Sequence, residues 1–259
     1  HRNTATHFCH SIEIFQHQLI CPFWNITDND RGIMKAVFVI GLPGAGKSYT
    51  INKIRGQVSP VVVNTDKSAE FLSKKLGVEI SKDTWAQFAD KTATMTKEQL
   101  AQYINGLLPM FVDGTSNDVS NILHRIGILE SLGYDVGVVF VSASIETAMK
   151  RAAERAEKIG RHVDEDFIRH VHEQNEENKE YLASKVGFFK EVVNDTDELT
   201  DAVLLQAFKK VQSFFDQPVK NPVGKRTLEK MKEEKAKYLA PTIYSMDVIK
   251  KKVEGWYRK

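Results

Sequence analysis

The chain has 259 residues, of which 42% are hydrophobic and 27% are charged, and its formal net charge is +2. This composition is typical of a globular protein with room for one α/β domain and appendages, and no apolar run is long enough to cross a membrane. Both cysteines lie within the first 21 residues, which excludes a disulfide framework for the rest of the chain and favours a reducing, cytoplasmic compartment.

The first 33 residues differ from the rest of the chain. They contain Cys9, Cys21 and four of the eight histidines, but they show no sustained helical or strand period. Because the spacing of these side chains matches no standard zinc pattern, a metal site here is disfavoured. We expect Met34 to be the natural start of the protein and residues 1–33 to be an atypical extension of non-native origin.

A phosphate-binding loop follows the first predicted strand, residues 36–40. The segment GLPGAGKS, from Gly41 to Ser48, matches G-x-x-x-x-G-K-[ST], and a helix-compatible run follows it. Its glycines permit backbone angles that turn N–H groups toward phosphate oxygens, and the helix N-terminus adds its dipole. We predict that Lys47 contacts the β- and γ-phosphates of ATP and that Ser48 is a ligand of Mg²⁺. The residues assigned to nucleotide binding are Gly41, Leu42, Pro43, Gly44, Ala45, Gly46, Lys47, Ser48 and Tyr49.

Two further strands are predicted to end in an acidic residue. Asp66 follows the strand at residues 60–63, and Asp113 follows the strand at residues 110–112. Acids at the carboxyl ends of parallel strands point into the ligand crevice. Asp66 is therefore the candidate base, and Asp113 is the candidate Mg²⁺ ligand, directly or through water. The alternatives are a helix cap, to which Thr65 and Asp66 are both suited, and a turn acid at Asp113.

The remaining predicted elements complete an alternation of strands and helices. Two more strands are predicted over residues 136–141 and 188–193. Capping residues and apolar periodicity predict helices over residues 48–55, 68–76, 94–105 (with Thr96 as cap), 119–132, 146–158, 165–185 and 197–215. The expected fold class is α/β, a P-loop NTPase with a five-stranded, mainly parallel sheet, helices on both faces and a helical lid.

Three arginines are candidates for neutralising charge during phosphoryl transfer. Arg151 and Arg155 are four residues apart on one predicted helix, so they share a face, and Arg161 follows after a glycine. Cations are needed near the transferring group, and the rigid fork of arginine suits that task. The alternative interpretation is that these arginines lie on a solvated helix face and pair with nearby glutamates, which explains the same spacing.

A basic segment follows residue 215. Residues 216–259 contain twelve Lys and Arg against six Asp and Glu, and two helices are predicted there, one over residues 225–238 and one that ends at Lys259. A basic helix can follow nucleic-acid phosphates, so a nucleic-acid partner is one interpretation of this tail. The other is a solvated helical appendage.

The order of these motifs resembles the branch of P-loop kinases that contains polynucleotide 5′-kinases and zeta-toxin-like kinases, over about residues 34–215. The segments that carry the resemblance are the phosphate loop, NTDK around Asp66, Asp113-Gly114-Thr115, and the Asn194-Asp195 pair after the last strand. The spaced arginines Arg151, Arg155 and Arg161 resemble the arginines of the lid in this branch, and we call them the lid arginines. The resemblance implies that Asp66 is the base for an acceptor hydroxyl. It also implies that the lid arginines grip the donor phosphates and that Asn194 lies near the adenine.

We therefore expect an ATP- and Mg²⁺-dependent kinase that phosphorylates a hydroxyl acceptor, first of all one on a polynucleotide or a modified nucleic-acid base. One alternative is a zeta-toxin-like kinase of a nucleotide sugar or small metabolite. A second is a P-loop ATPase or switch that acts on a partner protein. The predicted organisation is an extension at residues 1–33, a kinase domain at residues 34–215 and a basic tail at residues 216–259.

Overall fold

The computed structural model describes residues 33–55, 60–78, 82–115, 117–159, 163–195 and 201–238. The strands are β1 (Lys35–Gly41), β2 (Val61–Val63), β3 (Met110–Thr115), β4 (Asp135–Ser142) and β5 (Phe188–Val193). The helices are α1 (Lys47–Ile54), α2 (Thr65–Leu76), α3 (Lys82–Asn105), α4 (Val119–Ser131), α5 (Ile145–Ile159), α6 (Glu165–Lys185), α7 (Asp201–Asp216) and α8 (Pro222–Tyr238). Most of the N-terminal extension and the second predicted tail helix lie outside the described residues.

The five strands form one parallel sheet in the order β2-β3-β1-β4-β5. β1 is central and buried along its whole length, with Phe38 paired to Val112 of β3 and to Val138 of β4. Since β3 and β4 lie on opposite sides of β1, a crevice is expected at the carboxyl end of β1, where ligands bind in open parallel sheets. The expected α/β class is confirmed, and the sheet is wholly rather than mainly parallel.

Helices cover both faces of the sheet because successive side chains of β1 point to opposite sides. Val37 and Val39 belong to one buried cluster, together with residues of α1 and α7. Phe38 and Ile40 belong to a second cluster, together with residues of α3 and α4. Burial on both faces explains why β1 reads as a continuous apolar run.

The helix predicted from residue 94 is longer than expected. α3 begins at Lys82, so Thr96 lies inside the helix, where its hydroxyl donates to the carbonyl oxygen of Thr92 at 2.8 Å. Threonine can satisfy its hydroxyl on the preceding helical turn, and for that reason a cap-type residue did not mark a helix start here. The prediction of Thr96 as a cap was wrong. Within the described part of the chain, no helix has the length and apolar character needed to span a membrane.

The start of the C-terminal segment packs on the amino end of the sheet. At the beginning of β4, Asp135 accepts hydrogen bonds from the backbone N–H groups of Lys220 and Asn221, each at 2.8 Å. The same carboxylate pairs with the buried Lys35 Nζ at 3.0 Å. The Asn221 side chain donates to the carbonyl oxygen of Glu130 at 2.7 Å. These bonds fix the chain before α8 at the end of the sheet opposite the phosphate loop.

Candidate active site

The phosphate loop joins β1 to α1 at the carboxyl end of the sheet. Gly44 and Gly46 adopt φ values of 85° and 88°, in the left-handed region that favours glycine. A Cβ on Gly44 would lie 2.1 Å from the carbonyl oxygen of Ala148, and one on Gly46 would lie 2.3 Å from Asn194 Nδ2. Both positions therefore require glycine for conformation and for space.

Lys47 is the first residue of α1, and its side chain folds back toward the start of the loop. Its Nζ donates to the carbonyl oxygens of Gly41 at 3.0 Å and Leu42 at 2.9 Å. The hydroxyl of Thr50 donates to the carbonyl oxygen of Gly46 at 3.1 Å, which ties the end of the loop to the helix. The ammonium group is thus held within the loop that is predicted to surround phosphate.

A cavity of about 700 Å³ lies beside this loop. Its walls come from the loop, β1, the carboxyl end of β3, the residue that follows β2, and helices α2, α4, α5 and α6. The predicted site residues that the cavity brings together are Pro43, Gly44, Gly46, Lys47, Ser48, Tyr49, Asp66, Asp113, Arg151 and Arg155. Leu42 and Ala45 are buried beneath the loop, so they shape it without facing the cavity.

Ser48 and Asp113, the two predicted Mg²⁺ ligands, lie together. Ser48 Oγ donates to Asp113 Oδ2 at 3.3 Å, and Asn64 Nδ2 donates to the same oxygen at 2.7 Å. Hydroxyl and carboxylate oxygens are the hard ligands that Mg²⁺ prefers, and Mg²⁺ bound with nucleotide phosphates takes few protein ligands. This donor set fits Mg²⁺ in that mode. Among the described residues there is no cluster of three or more His, Cys, Asp or Glu that could form an all-protein metal site.

Asp66 lies in the first turn of α2, half-buried in the wall of the cavity. The cap of α2 is Asn64, whose Oδ1 accepts the backbone N–H groups of Asp66 at 2.7 Å and Lys67 at 3.3 Å. The capping alternative considered for Thr65 and Asp66 is therefore wrong.

Asn64 was overlooked in the sequence, although asparagine between a strand and a helix is a preferred N-cap. Its side chain performs two tasks, because the oxygen caps α2 and the amide nitrogen holds Asp113. The residue is 6% exposed. This buried amide therefore connects the helix that carries Asp66 to the candidate Mg²⁺ ligand.

Arg151 and Arg155 lie on α5 and line the cavity, whereas Arg161 is outside the described residues. Arg151 Nη1 donates to the backbone carbonyl oxygen of Asn194 at 2.9 Å. Asn194 is 4% exposed, and its Nδ2 donates to the carbonyl oxygen of Ala45 at 2.7 Å. The side chain that was predicted near the adenine therefore braces the back of the phosphate loop and does not line the cavity.

Arg125 is a cavity residue that the motifs did not indicate. It lies on α4, one turn after Ile122, and both residues line the cavity. Its Cζ is 5.6 Å from the centre of the Phe38 ring, and burial lowers the pKa of the guanidinium. The sequence signal was weak, because the position lies between the apolar residues Ile122 and Ile126 of an ordinary amphipathic helix.

Solved structures with a similar fold include a toxin–antitoxin system and a candidate kinase. The PezAT chromosomal toxin–antitoxin structure from Streptococcus pneumoniae has a TM-score of 0.56 and 16% identity, covering 88% of this chain and 95% of that chain. A candidate kinase from Chloroflexus aurantiacus J-10-fl has a TM-score of 0.51 and 14% identity, covering 70% of this chain and 98% of that chain. At these identities the likeness shows the fold alone.

The family follows from a sequence comparison. The model of the zeta toxin family matches residues 26–205, which is more than half of the chain. A comparison with curated proteins finds no match. With the phosphate loop and the parallel sheet in place, this chain belongs to the zeta toxin family and is a P-loop kinase, a phosphotransferase that uses ATP.

Proposed function

We propose that this kinase transfers the γ-phosphate of ATP to a hydroxyl of a nucleotide sugar. The observation that carries the proposal is one cavity lined by Lys47 and Ser48 of the loop, by Asp113 and by Asp66. Zeta toxins phosphorylate UDP-sugars. Family membership therefore favours the nucleotide sugar over the nucleic-acid acceptor that the basic tail suggested.

The donor half of the reaction is assigned to the loop. Its amides and Lys47 would bind the β- and γ-phosphates, while Ser48 and Asp113 would hold Mg²⁺. When bound, Mg²⁺ supplies positive charge that neutralises and orients the phosphates. Asn64 keeps the Asp113 carboxylate in place through the 2.7 Å hydrogen bond to Oδ2.

The acceptor half is assigned to Asp66 and the arginines. Asp66 accepts the proton of the acceptor hydroxyl while that oxygen bonds to the γ-phosphorus, and the bond from the γ-phosphorus to the oxygen that leaves with ADP breaks. Arg155, together with Arg151 or Arg161, stabilises the charge on the transferring group. Phosphoryl transfer asks mainly for positioning and charge, and these groups would contribute both.

The test offers γ-labelled ATP and Mg²⁺ to the full chain with three acceptor panels: UDP-sugars, 5′-hydroxyl oligonucleotides and DNA with hydroxymethylated bases. We expect label on a UDP-sugar, and a loss of about 10²–10⁴-fold in Asp66→Asn, the range for removing a general base. Asp216→Asn is the matched control, because Asp216 is an exposed acid at the end of α7.

Two results would contradict the proposal. Label that appears on oligonucleotides but not on sugars would restore the nucleic-acid acceptor. Label that appears only in free phosphate, at the same rate in Asp66→Asn, would favour the ATPase or switch alternative and remove Asp66 from catalysis.

A further inference from the structure

Arg125 is a cation inside the catalytic cavity whose charge the proposed reaction does not use. Its side chain is half-buried, and burial lowers its pKa because the charged form loses hydration. The contact that stabilises it is the face of the Phe38 ring, 5.6 Å from Cζ. Throughout the described residues, the Arg125 guanidinium makes no hydrogen bond or ion pair.

Two acidic side chains that line the same cavity as Arg125, those of Asp113 and Asp118, make their hydrogen bonds to other groups. Asp118 caps α4 by accepting the backbone N–H of Asn121 at 2.9 Å. Asp113 Oδ2 accepts hydrogen bonds from Ser48 and Asn64. A desolvated guanidinium is normally paired with an anion, since the interior compensates lost hydration poorly. Arg125 therefore retains its full set of donors for a ligand in the cavity.

We propose that Arg125 binds a phosphate group of the acceptor and so selects phosphate-bearing acceptors. The planar fork of arginine matches phosphate oxygens in a bidentate manner, and Phe38 keeps the fork oriented. The apolar side chains of Ile40 and Ile122 also line the cavity and give the rest of the acceptor an apolar wall. This inference rests on the proposed function, in which the donor phosphates belong to the loop around Lys47.

Both remaining acceptor classes present this chemistry, because a nucleotide sugar and a polynucleotide end each carry phosphate near a hydroxyl. The distinguishing experiment measures binding rather than turnover. The full chain is first saturated with Mg²⁺ and a non-hydrolysable ATP analogue, so that the donor site is filled. UDP, uridine and a 5′-hydroxyl dinucleotide are then titrated by calorimetry.

The variants separate charge from packing. Arg125→Met keeps an apolar side chain against Phe38 and removes the charge, while Arg125→Lys keeps the charge and loses the fork. Arg226→Met is the control, because Arg226 is an exposed arginine on α8. Thermal unfolding midpoints of all variants check that the fold is intact.

We expect Arg125→Met to weaken binding of UDP by about 10–100-fold, the value of hydrogen bonds to a charged group. Arg125→Lys should lose less, and Arg226→Met should bind as the wild type does. Affinity for uridine and for the ATP analogue should be unchanged in all variants. A loss on the dinucleotide in place of UDP would also support the phosphate contact and would assign its source to nucleic acid.

Three results would overturn the proposal. These are equal affinity of wild type and Arg125→Met for every phosphate-bearing probe, an equal loss for uridine, and a loss confined to the ATP analogue. Failure of the label-transfer assay with sugars is a separate outcome, because phosphate binding that depends on Arg125 can be observed without turnover.

Discussion

Each end of the sheet holds a cationic side chain against an aromatic ring, but the two cations are treated differently. At the amino end, Lys35 Nζ lies 4.7 Å from the centre of the Phe214 ring and 3.0 Å from Asp135. At the carboxyl end, Arg125 lies 5.6 Å from the Phe38 ring and, among the described residues, has no ion pair. The first cation is neutralised by the fold, and the second faces a cavity. Similar contacts therefore serve structure at the amino end, whereas at the carboxyl end the cation is the one that we propose binds a ligand.

Buried hydrogen bonds follow the same division. At the amino end, the Tyr134 hydroxyl donates to the carbonyl oxygen of Leu108 at 3.2 Å, and burial raises the pKa of this phenol. At the carboxyl end, the buried amides of Asn64 and Asn194 hold Asp113 and the phosphate loop. At the carboxyl end these amides position a charged side chain and the phosphate loop, whereas at the amino end the Tyr134 hydroxyl joins one backbone segment to another.

The largest expected effect at the carboxyl end comes from Lys47→Met. We expect phosphoryl transfer to fall on the order of 10³-fold, because one preorganised charge at the transferring group is lost. The unfolding midpoint should stay near that of the wild type, and Lys74→Met, which changes an exposed lysine on α2, is the control. Label transfer measures the effect, and a loss smaller than about tenfold would argue against the role of Lys47.

Substitutions at the amino end of the sheet should lower the stability of the fold rather than the rate of phosphoryl transfer. In Lys35→Met the Asp135 carboxylate loses its cationic partner and keeps only backbone N–H donors, so we expect the free energy of unfolding to fall by about 3 kcal/mol. The double variant Lys35→Met/Asp135→Asn should recover part of that loss, since no charge is then left alone. Urea unfolding measures it, while the transfer rate per folded molecule should be unchanged. A loss below about 1 kcal/mol, as for an exposed pair, would contradict the comparison.

Substitutions of Asn64 test whether its side-chain amide both stabilises the fold and positions the candidate Mg²⁺ ligand Asp113. Asn64→Ala removes the cap of α2, worth about 1 kcal/mol, and the support of Asp113, worth about 10–100-fold in Mg²⁺ affinity or activity. Asn64→Ser separates the two, because serine is also a preferred N-cap but lacks the amide that donates to Asp113 and adds no charge. We expect Asn64→Ser to keep its unfolding midpoint and to lose transfer at low Mg²⁺; full activity in this variant would refute the second task.

The smallest expected effect is a dependence of stability on pH. Burial alone would raise the pKa of Asp135. The Lys220 N–H, the Lys35 ammonium and the Asn221 N–H together lower this pKa by more than burial raises it, so the net shift is downward. A depressed folded pKa means that the carboxylate stabilises the fold above its unfolded pKa and that this contribution is lost as pH falls through the folded value.

Unfolding at pH 7 and near pH 3 should reveal this shift, because the unfolded Asp pKa is about 3.9. The stability difference between wild type and Asp135→Asn should shrink at the acidic value. A difference that is the same at both pH values would show that Asp135 acts only through shape.

Most features of the carboxyl end of the sheet could be predicted from local sequence patterns and from the parallel topology. The apolar run of β1 and the glycines after it predict the loop, and carboxyl ends of parallel strands meet at one edge, which explains why Ser48 and Asp113 lie together. The N-cap was harder, because Asn64, Thr65 and Asp66 are all cap-type residues. Which of them caps α2 depends on where β2 ends, and element boundaries are poorly encoded locally.

Contacts between distant segments account for what the sequence did not reveal. The pair of Lys35 and Asp135 depends on the register between β1 and β4, and no local pattern reports a register between distant strands. Arg125 lies within the apolar face of α4, where its spacing alone indicates core rather than cavity. The brace from Asn194 to Ala45 likewise depends on how β5 ends beneath the loop.

The closeness of Asn194 to Gly46 bears on how this protein can vary in evolution. The Asn194 amide nitrogen would meet any Cβ at position 46 at 2.3 Å while it bonds to the neighbouring Ala45 carbonyl. A smaller residue at 194 would remove this clash but not the left-handed backbone of Gly46, whose φ is 88°. Position 46 is therefore held as glycine by two independent constraints, and a related chain with a smaller residue at 194 should still have glycine at 46.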